Sequence, residues 1–326
     1  VRIAVTGSIA TDHLMAFPGR FVDQLLPDQL HTISLSFLVD TLEVRRGGVA
    51  ANIAYGLGGL RMEPLLAGAV GPDFAEYEVW LKEHGVDTAP VHVSADHQTA
   101  RFMCMTDQDS NQIASFYAGA MAEAARVDLH ALHAATPLDL VLVSPNDPAA
   151  MLRHTEQARE LGIPFAADPS QQLARLTGAE VRTLVTGARW LFTNAYESAL
   201  LRERTGWDHH QVLDQVGTWI TTLGAQGVRI DAKDTPTLTV PAVPDVHAAD
   251  PTGVGDAFRS GFLAAVGWDL PLQTAAQLGC AMSALALAAV GSQSYEIQPQ
   301  RLLNTLRTVY GEHAAGLLEP KLGTPA

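Results

Sequence analysis

The sequence predicts an α/β layer fold with a central, mostly parallel sheet and a small β-sheet lid, and two observations carry that expectation. Short apolar runs ending in Gly, Ser, Asn or Asp alternate with longer stretches whose apolar residues recur at helical spacing. The runs are RIAVTG (2–7), EPLLAGAVG (63–71), LDLVLVS (138–144), IPFAAD (163–168), RWLFTN (189–194) and WITTLG (219–224), with helix-like stretches such as 148–161 and 195–204 between them. Strands in that rhythm join through crossover helices, lie parallel and present ligands at their carboxyl ends. Two segments break the rhythm. HTISLSFLVDTLEVRR (31–46) alternates like a half-exposed strand, and TARFMCMT and QIASFY flank the polar cluster DQDSN (107–111) as in a β-hairpin. A sheet built from two separated insertions has little room for a core of its own and is expected to close over a site. The expected boundaries are 1–10, 46–98 and 118–326 for the large domain, and 11–45 with 99–117 for the lid.

The chain has 326 residues, 47% hydrophobic and 17% charged, enough apolar material for one large core or two modest ones. Its net charge of −14 disfavours nucleic acid and anionic membranes as partners, since both call for basic surface. The only cysteines, Cys104 and Cys280, point to a reducing cytoplasm rather than a disulfide framework. VRIAVTGSIA (1–10) does not read as a secretory signal, and LGCAMSALALAAVG (278–291) is too short for a membrane span and is expected to be a buried helix. The twelve histidines show no metal-binding spacing, and no G-x-S-x-G elbow is present.

The carboxyl-terminal third contains DPTGVGDAFRSGF (250–262). It fails the dinucleotide fingerprint, because Phe258 stands where a third glycine is needed, and it fails the Walker pattern, because Asp256 follows Gly255. What remains is a glycine loop opening an amphipathic helix, whose unpaired first amides can form an anion site. Asp256 there is either a first-turn acid favoured by the helix dipole or a base for a substrate hydroxyl beside that site. Ser8 and Asp12 in GSIATDHL follow the first strand, and Asp12 suits a pair of sugar hydroxyls or a turn cap. In RRGGVAANIAYGLGGL (45–60), a helix starting near Val49 puts Gly48 and Asn52 one turn apart on one face. DPSQQLARL (168–176) reads as a helix start with Asp168 as cap, with Gln171 and Gln172 at a strand's carboxyl end and Arg175 one turn on. Glu197 of NAYE (194–197) suits a helix start or a hydrated Mg²⁺. TTLGAQG (221–227) is a strand and a glycine turn, fit for a nucleotide's phosphates or a plain hairpin.

Taken together, GGVAAN, NAYE, TTLGAQG and DPTGVGDAFRSGF, in that order over nearly the whole chain, resemble the ribokinase-like (PfkB) carbohydrate and nucleoside kinases. Within that family VTGSIATDHL, SLSFLV, QIASFY and DPSQQLARL are similar to the adenosine kinases of actinobacteria. The resemblance implies a ribokinase-like three-layer sandwich with a β lid, and transfer of the ATP γ-phosphoryl group to the 5′-hydroxyl of adenosine. It implies Asp256 as base, with Gly253, Val254, Gly255 and Asp256 lending amides to an anion hole. Ser8, Asp12, Gly48 and Asn52 would hold the ribose, and Phe102 and Phe116 would sandwich the purine. Gln171 and Gln172 would face the nucleoside, with Ser36 a further lid contact. Asn194 and the turn of Thr222, Leu223, Gly224, Ala225, Gln226 and Gly227 would contact ATP, with Glu197 in the Mg²⁺ network. A monovalent cation such as K⁺ is a further candidate cofactor, and a homodimer through the lid is the expected assembly. The alternatives are a ribokinase- or fructokinase-type sugar kinase on the same machinery, and a catalytically silent nucleotide-binding protein.

Overall fold

The computed structural model describes residues 1–32 and 34–323. Eight short strands form the central sheet: β1 (Ile3–Thr6), β4 (Leu65–Ala67), β7 (Leu140–Val143), β8 (Phe165–Ala167), β9 (Trp190–Asn194), β10 (Thr218–Thr222), β11 (Val228–Asp231) and β12 (Leu238–Val240). Their order is β12-β11-β10-β9-β8-β7-β1-β4, parallel from β4 through β10 and antiparallel at β11 and β12. The expected α/β architecture is therefore observed. Strand β1 lies between β7 and β4, so the chain winds outward in both directions from it. Open sheets bind ligands at the carboxyl ends beside such a switch.

Helices cover both faces. Alternate residues of each strand enter different cores: Val5, Leu142, Phe192 and Ile220 face one, and Ala4, Val141, Leu191 and Trp219 face the other. Among these helices are α1 (Val49–Gly59), α2 (Ala75–Glu83), α3 (Pro148–Glu160), α4 (Gly178–Val185), α5 (Ala195–Thr205), α6 (Val254–Gly267) and α7 (Leu272–Leu287). The last is the buried helix expected near 278–291, shifted toward its amino end. Helices α6 and α7 pack closely because Gly261 and Gly279 lie at their contact, where an added Cβ would come within 3.0 Å of the neighbouring helix. Among the described residues no helix is long and apolar enough to cross a membrane.

The lid is a four-stranded sheet, β3-β2-β5-β6, of β2 (Ala10–Ala16), β3 (Thr41–Gly47), β5 (Ala100–Thr106) and β6 (Gln112–Tyr117). The β5–β6 hairpin turns where expected. Asp107 closes it by accepting from the backbone N–H of Asp109 and of Asn111, both at 2.9 Å. The long strand expected over 31–46 is a correction, because only 41–47 is strand. All seven residues of β2 are paired with β3 in register Ala10↔Gly47 to Ala16↔Thr41, so 34–40 have no ladder left to join. Phe37 instead packs edge-on against Phe17 and Phe21, with ring centres 5.0 and 5.3 Å away. Ile33 lies outside the described residues. The run 63–71 is likewise split, and its second piece, Ala69–Val70, pairs with His92–Val93.

Candidate active site

Two cavities open at the carboxyl ends of the parallel strands, and the first turn of α6 stands between them. One, of about 450 Å³, lies under the lid and is lined by Gly253 and Asp256 on the α6 side; the other, of about 650 Å³, is lined by Val254 and Gly255. Gly253 caps the helix at φ +77°, and a Cβ there would sit 2.5 Å from that of Ser292, so only glycine fits this approach. The amides of the first turn lack helical acceptors and carry the positive end of the dipole.

The lid-side cavity gathers Ser8, Asp12, Gly48, Asn52, Phe102, Phe116, Gln171 and Gln172 around Asp256. Ser8 follows β1, and its Oγ accepts from the Val49 amide at 3.0 Å, supplying the cap that Gly48 cannot. Gly48 has φ +95°, and its Cβ position is 2.6 Å from the Ala10 nitrogen and the Ser8 oxygen, so the chain ends of β2 and β3 press directly on α1. Asp12 sits on β2, within the lid, rather than in a loop after β1. Burial pushes its carboxyl up to about 6, with Arg45 opposing and Asp250 reinforcing the shift. Phe102 and Phe116 are direct cross-strand partners on β5 and β6, so both rings extend from the same face of the lid. Gln171 is exposed, whereas Gln172 is buried and donates from Nε2 to the Asn146 carbonyl at 2.7 Å. Ser36 is exposed and does not line this cavity. Arg175, Thr252 and Met121 also line the wall.

Asp256 is partly accessible from the cavity but surrounded by protein, and desolvation raises its pKa. Two neighbours oppose that rise: Asn52 donates from Nδ2 to its Oδ2 at 2.8 Å, and Arg259 adds positive charge. Arg259 is itself buried and bridges the site, donating to the Gly255 carbonyl at 3.0 Å and to Asp168 Oδ1 at 2.7 Å. Asp168, expected as a helix cap, is fully buried and spends its carboxylate on that guanidinium. The short helical turn after it is capped at Pro169 with no side-chain bond.

In the second cavity, Thr222, Gly224, Ala225 and Gly227 face the apolar wall of Val243, Pro244 and Val246, with Phe258, Ala284 and Leu287 beneath. Leu223 and Gln226 of the same turn do not line it, and neither does Asn194. Asn194 and Glu197 pair with each other in a capping box at the start of α5, the Asn194 N–H donating at 2.7 Å and the Glu197 N–H at 2.8 Å. One Glu197 oxygen remains near Ser170 Oγ at 3.3 Å, on the side of Asp168 and Asp256. Among the described residues no cluster of three or more His, Cys, Asp or Glu could hold a metal ion. Glu197 could accept from the water shell of a divalent ion such as Mg²⁺.

The residues missing from the sequence reading are those without a local motif. The 243–246 wall, Asp168 as a partner of Arg259, and Ser292 with Gln293 behind Asn52 all act through contacts distant in sequence.

The chain is similar to several known proteins. A nucleoside kinase of Methanothermobacter thermautotrophicus is 30% identical over 272 residues, 82% of this chain and 86% of that protein. An ATP-dependent ribose-1-phosphate kinase of Halopiger xanaduensis is 30% identical over 257 residues, 76% of this chain and 82% of that protein. The structure of Burkholderia thailandensis nucleoside kinase in complex with inosine superposes with a TM-score of 0.83 at 35% identity, covering 95% of this chain and 98% of that one. The model of the pfkB family carbohydrate kinases matches residues 9–299, and the chain belongs to that family of phosphotransferases.

Proposed function

We propose that the protein is a nucleoside kinase that transfers the γ-phosphoryl group of ATP to the 5′-hydroxyl of a purine nucleoside, adenosine first among them. The observation that carries this reading is the placement of the first turn of α6 between two cavities, with Asp256 on the lid side. The nucleoside lies under the lid, its base against Phe102 and Phe116 and its ribose hydroxyls against Asp12. ATP lies in the second cavity, its base against the 243–246 wall. Asp256 accepts the 5′-hydroxyl proton as O5′ bonds to the γ-phosphorus. The bond to the β–γ bridging oxygen breaks, ADP leaves, and the α6 amides bear the charge on the transferring group. Mg²⁺ would neutralise phosphate charge. A panel of adenosine, inosine, guanosine, ribose, fructose and ribose 1-phosphate in a coupled ADP-release assay tests the reading. No turnover on any nucleoside would end it.

A second reading has a specific observation in its favour. Arg175 lines the acceptor cavity, and its guanidinium suits an anionic acceptor such as a sugar phosphate. Faster turnover of ribose 1-phosphate than of any nucleoside in the same panel would select it.

Two further outcomes are expected. Phe116→Ala should raise KM for the nucleoside about fivefold to hundredfold, since loss of base stacking costs about 1–3 kcal/mol, and should leave KM for ATP almost unchanged. Equal effects on both substrates would place the base elsewhere. With its carboxyl pushed up to about 6, Asp12 should lose its charge as pH falls through that value. A protonated Asp12 no longer accepts from two hydroxyls, so kcat/KM for the acceptor should fall on the acid side. Asp12→Asn should have a low kcat/KM that keeps only the acid limb of Asp256, measured as initial rates against pH.

A further inference from the structure

Asn52 meets Asp256 with its nitrogen, and the reason lies behind it. The Asn52 Oδ1 accepts from Ser292 Oγ at 2.9 Å and from Gln293 Nε2 at 2.9 Å. Gln293 Oε1 in turn accepts from the Trp80 indole N–H on α2 at 3.2 Å, and its Nε2 also donates to Tyr77 Oη, which donates to the Gly47 carbonyl at 2.9 Å. Asn52, Ser292, Gln293 and Tyr77 are all buried. An indole N–H can only donate. It therefore fixes Gln293 with its oxygen toward Trp80 and its nitrogen toward Asn52, which in turn leaves Asn52 only its NH₂ for Asp256. Reversing any one amide would set oxygen against oxygen at a buried contact.

We propose that Trp80, Gln293 and Ser292 are positioning residues that polarise the Asn52 carboxamide, so that it always donates to the Asp256 carboxylate and holds it ionised and aimed at the acceptor. This rests on Asp256 being the base. The other groups acting on Asp256 are Arg259 on its own helix, Glu197 from α5, and the nearby Asp168 after β8 and Tyr295. Among these, Arg259 favours the ionised form and Glu197 disfavours it. The amide chain reaches Asp256 through Asn52 on α1.

The test uses the whole enzyme and follows kcat against pH at saturating ATP and nucleoside, where Asp12 is engaged by substrate. The neutral double variant Ser292→Ala/Gln293→Met removes both donors without adding charge. It should lower kcat at neutral pH about tenfold to hundredfold, as expected for a lost bond to a charged group. Its acid limb should move up by about one pH unit, with KM for ATP unchanged. Trp80→Phe, which keeps the half-buried ring, should shift the limb in the same direction by less, and it serves if the double variant does not fold. An acid limb at the wild-type pH in a folded variant overturns the proposal, whether kcat is unchanged or falls uniformly. Asp256→Asn run beside them separates the two failures. If that variant turns over normally, the base assignment has failed; if it is dead while the others keep the wild-type limb, only the polarised chain has.

Discussion

Asp256→Asn is expected to fold normally and to lose at least about 10²-fold in kcat, the lower end of what a positioned base contributes. The substitution keeps an oxygen that can accept from Asn52 Nδ2, now 2.8 Å from the carboxylate, so the local network survives. Stability should not suffer. Because the folded carboxyl has a raised pKa, its charge costs stability above that pKa, and a neutral amide removes the cost at neutral pH. Circular dichroism and thermal melting would establish the fold, and single-turnover rates the chemistry. KM for both substrates should change little, since the proton is taken only as the transition state forms. A folded variant with near-native turnover would remove Asp256 from the reaction.

Arg259→Met should be the most destabilising single change near the site, costing about 3–5 kcal/mol. It leaves Asp168, which has no solvent exposure, without the guanidinium that now donates to it at 2.7 Å. The pH dependence has a definite sign. Burial already pushes Asp168 up to about 6, and loss of Arg259 raises it further. A carboxyl with a raised folded pKa costs stability when ionised, so the deficit should shrink as pH is lowered toward that value. The double variant Asp168→Leu/Arg259→Met should recover most of the loss, since a buried pair is often replaceable by apolar side chains. Denaturant melts of the two single variants and the double variant give the coupling. Additive losses would show that the pair does not act as a unit.

What was legible in the sequence is what local patterns encode. The strand–helix rhythm gave the central sheet, the GG pair placed the start of α1 at Val49, and DQDSN marked the turn that Asp107 closes. Alternation alone misled over 31–46, because a period of two shows which face is buried and not whether a neighbouring strand exists to pair. The capping box of Asn194 and Glu197 was the unremarkable alternative for a pattern also suited to a metal network. Asp168 reads as a cap from its place before Pro169 and is not one, because its carboxylate is taken by a partner 91 residues away. Gln293 reaches Asn52 across 241 residues. Neither spacing leaves a trace in one sequence, since only the folded chain brings those groups to one place. Phe102 and Phe116 entered only through the family resemblance, and the hairpin makes them direct cross-strand partners.

The two cavities divided by α6 also divide the chain. Apart from Thr252, Gly253 and Asp256, every residue around the lid-side cavity precedes position 176, while the other cavity is built wholly from 222 onward. Under the proposed assignment, acceptor preference would be inherited from one half of the chain and nucleotide preference from the other. Exchange of the amino-terminal half between members of such a lineage would retune what is phosphorylated and leave the phosphate source alone. One carboxyl-terminal half could in this way serve many acceptors, with a single glycine turn as the seam.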